Sequence, residues 1–142
     1  MLLIIFAFIS AFSLSAGRLV SSANKPEIKD AWLRTGAEGL NSALYFKIEN
    51  NSEKPDTLYK VSSNIAHHIM MHETYRKNGM MGMREIKYIV IKPKSSIEFK
   101  PGSYHVMVMN LKRDIKQGDI IDFILYFKSA GEVNIKAKVE NK

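Results

Sequence analysis

Residues 101–112 read PGSYHVMVMNLK, a turn followed by a strongly alternating segment. Pro101-Gly102-Ser103 has the composition of a turn, and the residues after it alternate in type as a β-strand does. Successive side chains of a strand point to opposite faces, so His105, Met107 and Met109 share one face, opposite the tyrosine and the two valines. The stretch therefore predicts a strand with one apolar face and one face of histidine and methionine.

The same kind of segment recurs along the rest of the chain. Short alternating or apolar runs are separated by turns rich in Gly, Asn and Ser, and no run has the spacing of an amphipathic helix. Many short strands at this spacing predict an all-β, Greek-key sandwich or barrel, with residues 24–142 as its single domain. The predicted strands are 27–35, 42–50, 56–63, 67–75, 81–90, 95–100, 104–110, 119–128 and 132–139.

The amino-terminal segment predicts export. Residues 2–16 carry no charge, and this length suits the apolar region of a signal peptide better than a membrane span of about 20 residues. We predict that residues 1–23 are a signal peptide cleaved after Ala23, with Ala16 or Gly17 as alternatives, and that the domain is periplasmic. Because no basic residue precedes the apolar run, an uncleaved membrane anchor and a misassigned start codon stay open.

The amino-acid composition limits the kinds of partner and of metal ligand that the protein can have. Apolar residues make up 46% and charged residues 25%, as in folded proteins, and the net charge of +7 is spread along the chain. In an exported protein such a surface suits an acidic protein face or anionic lipid rather than nucleic acid. Since the chain has no cysteine, a soft metal ion would be held by thioether or imidazole groups.

Histidine and methionine are concentrated in one part of the chain. All four histidines and seven of the eight methionines lie between positions 67 and 109, while Ile, Leu, Val and Phe supply the apolar positions elsewhere. A methionine used only for packing would be spread over all strands. A single His or Met is better explained by packing, but the joint clustering predicts a site.

Four of these residues form a coherent ligand set. The run RKNG at 76–79 predicts a hairpin turn that brings His72 and Met83 onto neighbouring strands, and His105 and Met107 share a face. Two imidazoles and two thioethers make a neutral, soft set that suits Cu(I) better than zinc. We therefore predict one copper ion bound by His72, Met83, His105 and Met107.

The spacing of these residues resembles the PCuAC family of periplasmic copper chaperones. That family's pattern, His-x10-Met-x21-His-x-Met, is reproduced without a gap from His72 to Met107. Three further segments resemble segments of the same family: Ala31-Trp32-Leu33-Arg34, residues 43–50 and Gln117-Gly118-Asp119. The resemblance implies a cupredoxin-like fold and a Cu(I) carrier that serves the copper subunit of cytochrome c oxidase alongside Sco-type proteins.

Several neighbouring residues have open roles. His68 and Met70 are expected on the face of His72 as auxiliary ligands or surface residues, and the role of His67 is open. Met81 and Met109 are expected to pack in the core beside the site. Two further residues, Glu73 and Tyr104, are candidates to orient the imidazoles.

Two other functions compete with copper delivery. One is a copper buffer or resistance protein without a dedicated recipient, and the other is a β-sandwich interaction module with incidental methionines. No nucleophile and base pair is suggested by the sequence, and four ligands leave no open position for a substrate. The sequence therefore indicates a binding protein rather than an enzyme.

Overall fold

The computed structural model describes residues 25–142 and consists of strands and turns. No helix occurs among these residues, and the prediction of an all-β domain is confirmed. The strands are β1 (Glu27–Arg34), β2 (Ser42–Asn50), β3 (Asp56–Ser62), β4 (Ala66–Lys77), β5 (Met80–Glu85), β6 (Ile89–Ile91), β7 (Ser95–Phe99), β8 (Tyr104–Leu111), β9 (Ile120–Phe127) and β10 (Gly131–Glu140).

The ten strands form one continuous sheet that closes into two facing layers. Its order is β5-β4-β8-β7-β2-β1-β10-β9-β3-β6, with a further pairing of β8 to β2. β3 approaches β4, and β6 approaches β2 and β7, so the β3–β6 end of the sheet folds back over its β4–β2 part. The chain crosses between layers several times, as the Greek-key prediction requires.

The core lies between the layers. Phe46 and Phe99 stack at its centre with ring centroids 4.5 Å apart, and Phe123 and Phe127 enter from the opposite layer with almost no exposure. Burying each of these side chains contributes about 1.5–3 kcal/mol. This packing makes the sheet a rigid support for side chains on its outer face.

One predicted strand is divided in the structure. The segment 81–90 gives β5, which pairs with β4, and β6, which pairs with β3 in the other layer. Residues 86–88 lie between the two strands: Ile86 N–H still donates to the Met71 carbonyl at 2.9 Å, and the backbone then crosses from one layer to the other. The sequence does not mark this crossing with Gly or Pro.

The predicted signal peptide, residues 1–23, and its cleavage sites lie outside the described residues. Within residues 25–142, no helix is long and apolar enough to span a membrane.

Candidate metal centre

The site region is built on β5, β4 and β8, which lie side by side at one end of the sheet order. A two-residue turn, Asn78-Gly79, joins β4 to β5, and both residues have positive φ, of 52° and 76°. This is the geometry of a tight hairpin, and Asn-Gly is the pair that adopts it most readily. The turn fixes which residues of β4 and β5 lie opposite each other.

His72 and His105 are direct partners across β4 and β8. Their ring centroids are 5.7 Å apart, and the rings are nearly perpendicular at 86°. With metal–nitrogen bonds of roughly 2.0 Å, two imidazoles on one ion have their centres about 5–6 Å apart. The two rings therefore have a separation that suits one shared ion.

The two methionines lie on the same face as the imidazoles. Met107 follows His105 by two residues, and its partner on β4 is Met70. Met83 lies opposite Thr74, two residues after His72, so its side chain also projects to this face. All four predicted ligands thus share one sheet face, with each methionine two strand positions from the His72–His105 pair and the two methionines on opposite sides of it.

The four side chains differ in exposure. His105 is 5% exposed, whereas Met83, on the outermost strand, is 63% exposed. His72 and Met107 are intermediate. The candidate site therefore has one buried imidazole, that of His105, and one solvent-exposed thioether, that of Met83.

A backbone carbonyl orients His105. Its Nδ1–H donates to the carbonyl oxygen of Ser103 at 3.1 Å, a group that can only accept. This contact leaves Nε2 with its lone pair free, which is the state a metal-binding histidine needs.

His72 has an unsatisfied buried atom. Its Nδ1 is buried and has no hydrogen-bond partner. A buried polar atom without a partner is costly, and a bound metal ion would satisfy it. Burial first and His105 second lower the pKa of His72 below its ordinary value of 6.5, with Glu85 acting in the opposite direction. His72 is thereby favoured in the neutral form that binds metal.

Two expectations about the surrounding residues are wrong. Glu73 pairs with Arg84, and Tyr104 packs beside Phe99 with ring centroids 5.7 Å apart, so neither one orients an imidazole. Alternation on β4 and β8 directs both side chains away from the histidines. The Ser103 carbonyl has the orienting role instead, and a backbone group leaves no signal in the sequence.

The expected core packing of Met81 and Met109 is also wrong. Met81 is 60% exposed, and Met109 is half-buried and lies outside the hydrophobic core, which in this region includes Met71, Val106 and Val108. Met81 and Met109 are on the face of the site, opposite the core.

Glu85 is a neighbour that the sequence interpretation missed. It lies opposite His72 on β5, and its carboxylate accepts from Lys87 Nζ at 2.7 Å. Counting outward from the Asn78-Gly79 turn would have found it.

Among the described residues, no three His, Asp or Glu side chains form a metal-binding group.

The fold and the site define a class: single-domain, cupredoxin-like β-proteins that present histidine and methionine on one sheet face. Residues 27–139 match the family described as "Putative lipoprotein LpqE-like", and the chain belongs to that family.

Two curated proteins are similar in sequence. "Uncharacterized protein RP573" of Rickettsia prowazekii (strain Madrid E) is 31% identical over 102 residues, which are 71% of this chain and 56% of that protein. The chain thus spans little more than half of that relative's length. "Putative lipoprotein Lxx21020" of Leifsonia xyli subsp. xyli (strain CTCB07) is 26% identical over 120 residues, 84% of this chain and 72% of that protein.

A solved structure supports the fold. The "Copper-bound PCuAC domain from PmoF2" superposes with a TM-score of 0.70 and 28% identity, covering 83% of this chain and 94% of that domain. The resemblance to PCuAC domains and the cupredoxin-like fold predicted from it are confirmed.

Proposed function

We propose that this protein is an exported Cu(I) carrier that binds one ion with His72, Met83, His105 and Met107. The observation that carries the proposal is the pairing of His72 with His105 at a 5.7 Å ring separation, with both thioethers on the same sheet face. Two pieces of chain that are distant in sequence supply this set.

The donor chemistry favours Cu(I). Thioether sulfur is a soft ligand, and two neutral imidazoles complete a four-donor set without net charge. The partnerless Nδ1 of His72 and the free Nε2 of His105 are both suited to donate to an ion. The similarity to a copper-bound PCuAC domain agrees with this assignment.

Uneven exposure of the ligands suits transfer. A carrier has to release its ion to a partner, and ligand exchange starts at the donor that the partner reaches first. Met83 is 63% exposed while His105 is 5% exposed, so we propose that Met83 leaves first and the buried imidazole last. The proposed recipient is the copper subunit of cytochrome c oxidase, with Sco-type proteins as co-workers, as the family resemblance implies.

The proposed location is the periplasm. The family is described as lipoprotein-like, and residues 2–16 form an uncharged apolar run. Export followed by cleavage, or retention as a membrane anchor, fits both features.

Binding and transfer are proposed rather than catalysis, because four protein donors fill a tetrahedral site and leave no position for a substrate. Delivery is preferred to simple sequestration because a storage site gains nothing from an exposed ligand. A purified acceptor separates the two functions: a carrier transfers Cu(I) in a protein-concentration-dependent step, whereas a buffer releases it at a rate independent of the acceptor.

Titration of the full chain with Cu(I) against a chromophoric chelator tests the proposal. We expect tight binding at the four-ligand site, and X-ray absorption at one equivalent should show two nitrogen and two sulfur neighbours. His105→Ala should weaken binding by about 100-fold, equivalent to about 2.7 kcal/mol. Met80→Leu, on the opposite face of β5, is the matched control and should leave binding unchanged. Absence of stoichiometric Cu(I) binding would contradict the proposal and favour an interaction module.

A further inference from the structure

A second group of soft donors lies beside the proposed copper site. On the same face of β4 and β8, His68 lies directly opposite Met109, and Met70 lies directly opposite Met107. Directly opposed residues have Cβ atoms about 4.5–5.5 Å apart, and neighbours two apart on a strand are separated by about 6.5–7 Å. These two neighbouring cross-strand pairs therefore bring one imidazole and three thioethers together on one face.

Packing does not explain these methionines. On the reverse face of the same strands, Met71, Val106 and Val108 belong to the hydrophobic core, with Ile69 packed against it. Met70 and Met109 are half-buried and lie outside this core. The other face of these two strands supplies the side chains that pack in the core. Met70 and Met109 are therefore not needed for core packing and are available for another role.

The group is accessible to an ion from solvent. His68 is exposed at the end of the row, while Met70 and Met109 are shielded on part of their surface. A partly shielded thioether binds a soft ion with less competition from water, and an exposed imidazole admits the ion.

We propose that His68, Met70 and Met109 form a second, weaker Cu(I) site next to the four-ligand site. Met107 lies between the two groups, since it is opposite Met70 and two residues from His105. An ion arriving at His68 can therefore exchange onto Met107 and from there reach His72 and His105. This inference rests on the proposed function, because it assigns a loading role beside the same primary site.

The second site should be the weaker one for two reasons. It has three donors of its own, and only one is an imidazole, whereas the primary site has two imidazoles. Two cations this close also repel each other, so the second ion binds against the charge of the first. We expect an affinity at least about tenfold lower than that of the first ion.

Titration with Cu(I) alone, monitored by the methyl carbon signals of the methionines in NMR, tests the inference on the full chain. The first equivalent should shift Met83 and Met107, and the second should shift Met70 and Met109. Met70→Leu and Met109→Leu preserve side-chain volume, and each should remove the second equivalent while keeping the first. His68→Gln provides an exposed variant that does not disturb packing.

Three results distinguish the outcomes. Loss of the second equivalent in Met70→Leu, Met109→Leu and His68→Gln, with Met80→Leu unaffected, supports the site. A single tight equivalent that depends on His72 and His105, with no shift of Met70 or Met109, overturns the second site and leaves the carrier function intact. Absence of any bound Cu(I) overturns both.

Discussion

Met83 of β5 lies directly opposite Thr74 of β4, which places its thioether beside His72 on the same sheet face. The relationship follows from the two-residue turn, because pairing outward from Asn78-Gly79 aligns each residue of β5 with one of β4. An exposed thioether is thereby held next to a partly buried imidazole. The hairpin register is therefore part of the proposed copper site.

Replacing Met83 should weaken Cu(I) binding and change the rate of copper transfer without affecting folding. Met83→Leu removes the sulfur at a position that is 63% exposed, so the free energy of unfolding should change by less than about 0.5 kcal/mol. We expect weaker Cu(I) binding and an altered rate of transfer to an acceptor in stopped-flow measurements. Met80→Leu changes an exposed methionine on the other face of β5, and an equal effect from it would contradict the assignment.

Substitution of Gly79 in the β4–β5 turn should lower both the stability of the protein and its affinity for Cu(I). Gly79 has φ of 76°, so Gly79→Ala puts a side chain in a left-handed conformation at a cost of about 1–2 kcal/mol. We expect this loss in denaturant unfolding together with a modest fall in Cu(I) affinity, because the position of Met83 depends on the turn.

A second glycine provides the control for that experiment. Gly131, at the β9–β10 turn, also has φ of 76° and open space around its Cβ position. Gly131→Ala should cost similar stability and leave Cu(I) affinity unchanged. If both variants weakened copper binding equally, the hairpin would have no special part in the site.

The metal-free protein should lose stability as the pH falls through the mid-acidic range. The pKa of His72 is lowered mainly by burial, so the unfolded chain takes up its proton at a higher pH than the folded chain does. The free energy of unfolding should therefore decrease below about pH 6.5 and level off below the folded-state pKa. Urea unfolding at several pH values measures this slope. The same slope in His72→Gln would show that another group causes it.

Asn50 should be important for the fold and unimportant for copper. Its side chain is 4% exposed, and Nδ2 donates to the carbonyls of Lys54, Ile91 and Lys92 at 2.8–3.2 Å. Asn50→Ala leaves these carbonyls without their donor, and we expect a loss of about 2–4 kcal/mol. Asn50 is at the far end of β2 from Ala43, which pairs with Met107, so Cu(I) affinity should be retained. Calorimetry and chelator competition measure the two effects separately.

The placement of the candidate ligands on one sheet face could largely be predicted from the sequence because it depends on local geometry. Strand alternation assigned His105 and Met107 to one face, and the Asn-Gly turn brought His72 and Met83 onto neighbouring strands, as the structure has them. Both inferences use spacings of a few residues along one strand or hairpin. The same reasoning failed for Met81 and Met109, since alternation tells which residues share a face but not which face is buried.

The sequence by itself determined the strand pattern, the hairpin and the set of soft donors, because these follow from periodicity and residue chemistry. The tertiary structure decided that β4 pairs with β8 and that His72 lies opposite His105. It also decided the burial of His105 and the division of segment 81–90 between two layers. These features depend on contacts between distant parts of the chain, whose register is selected by how the whole core packs rather than by any local run of residues.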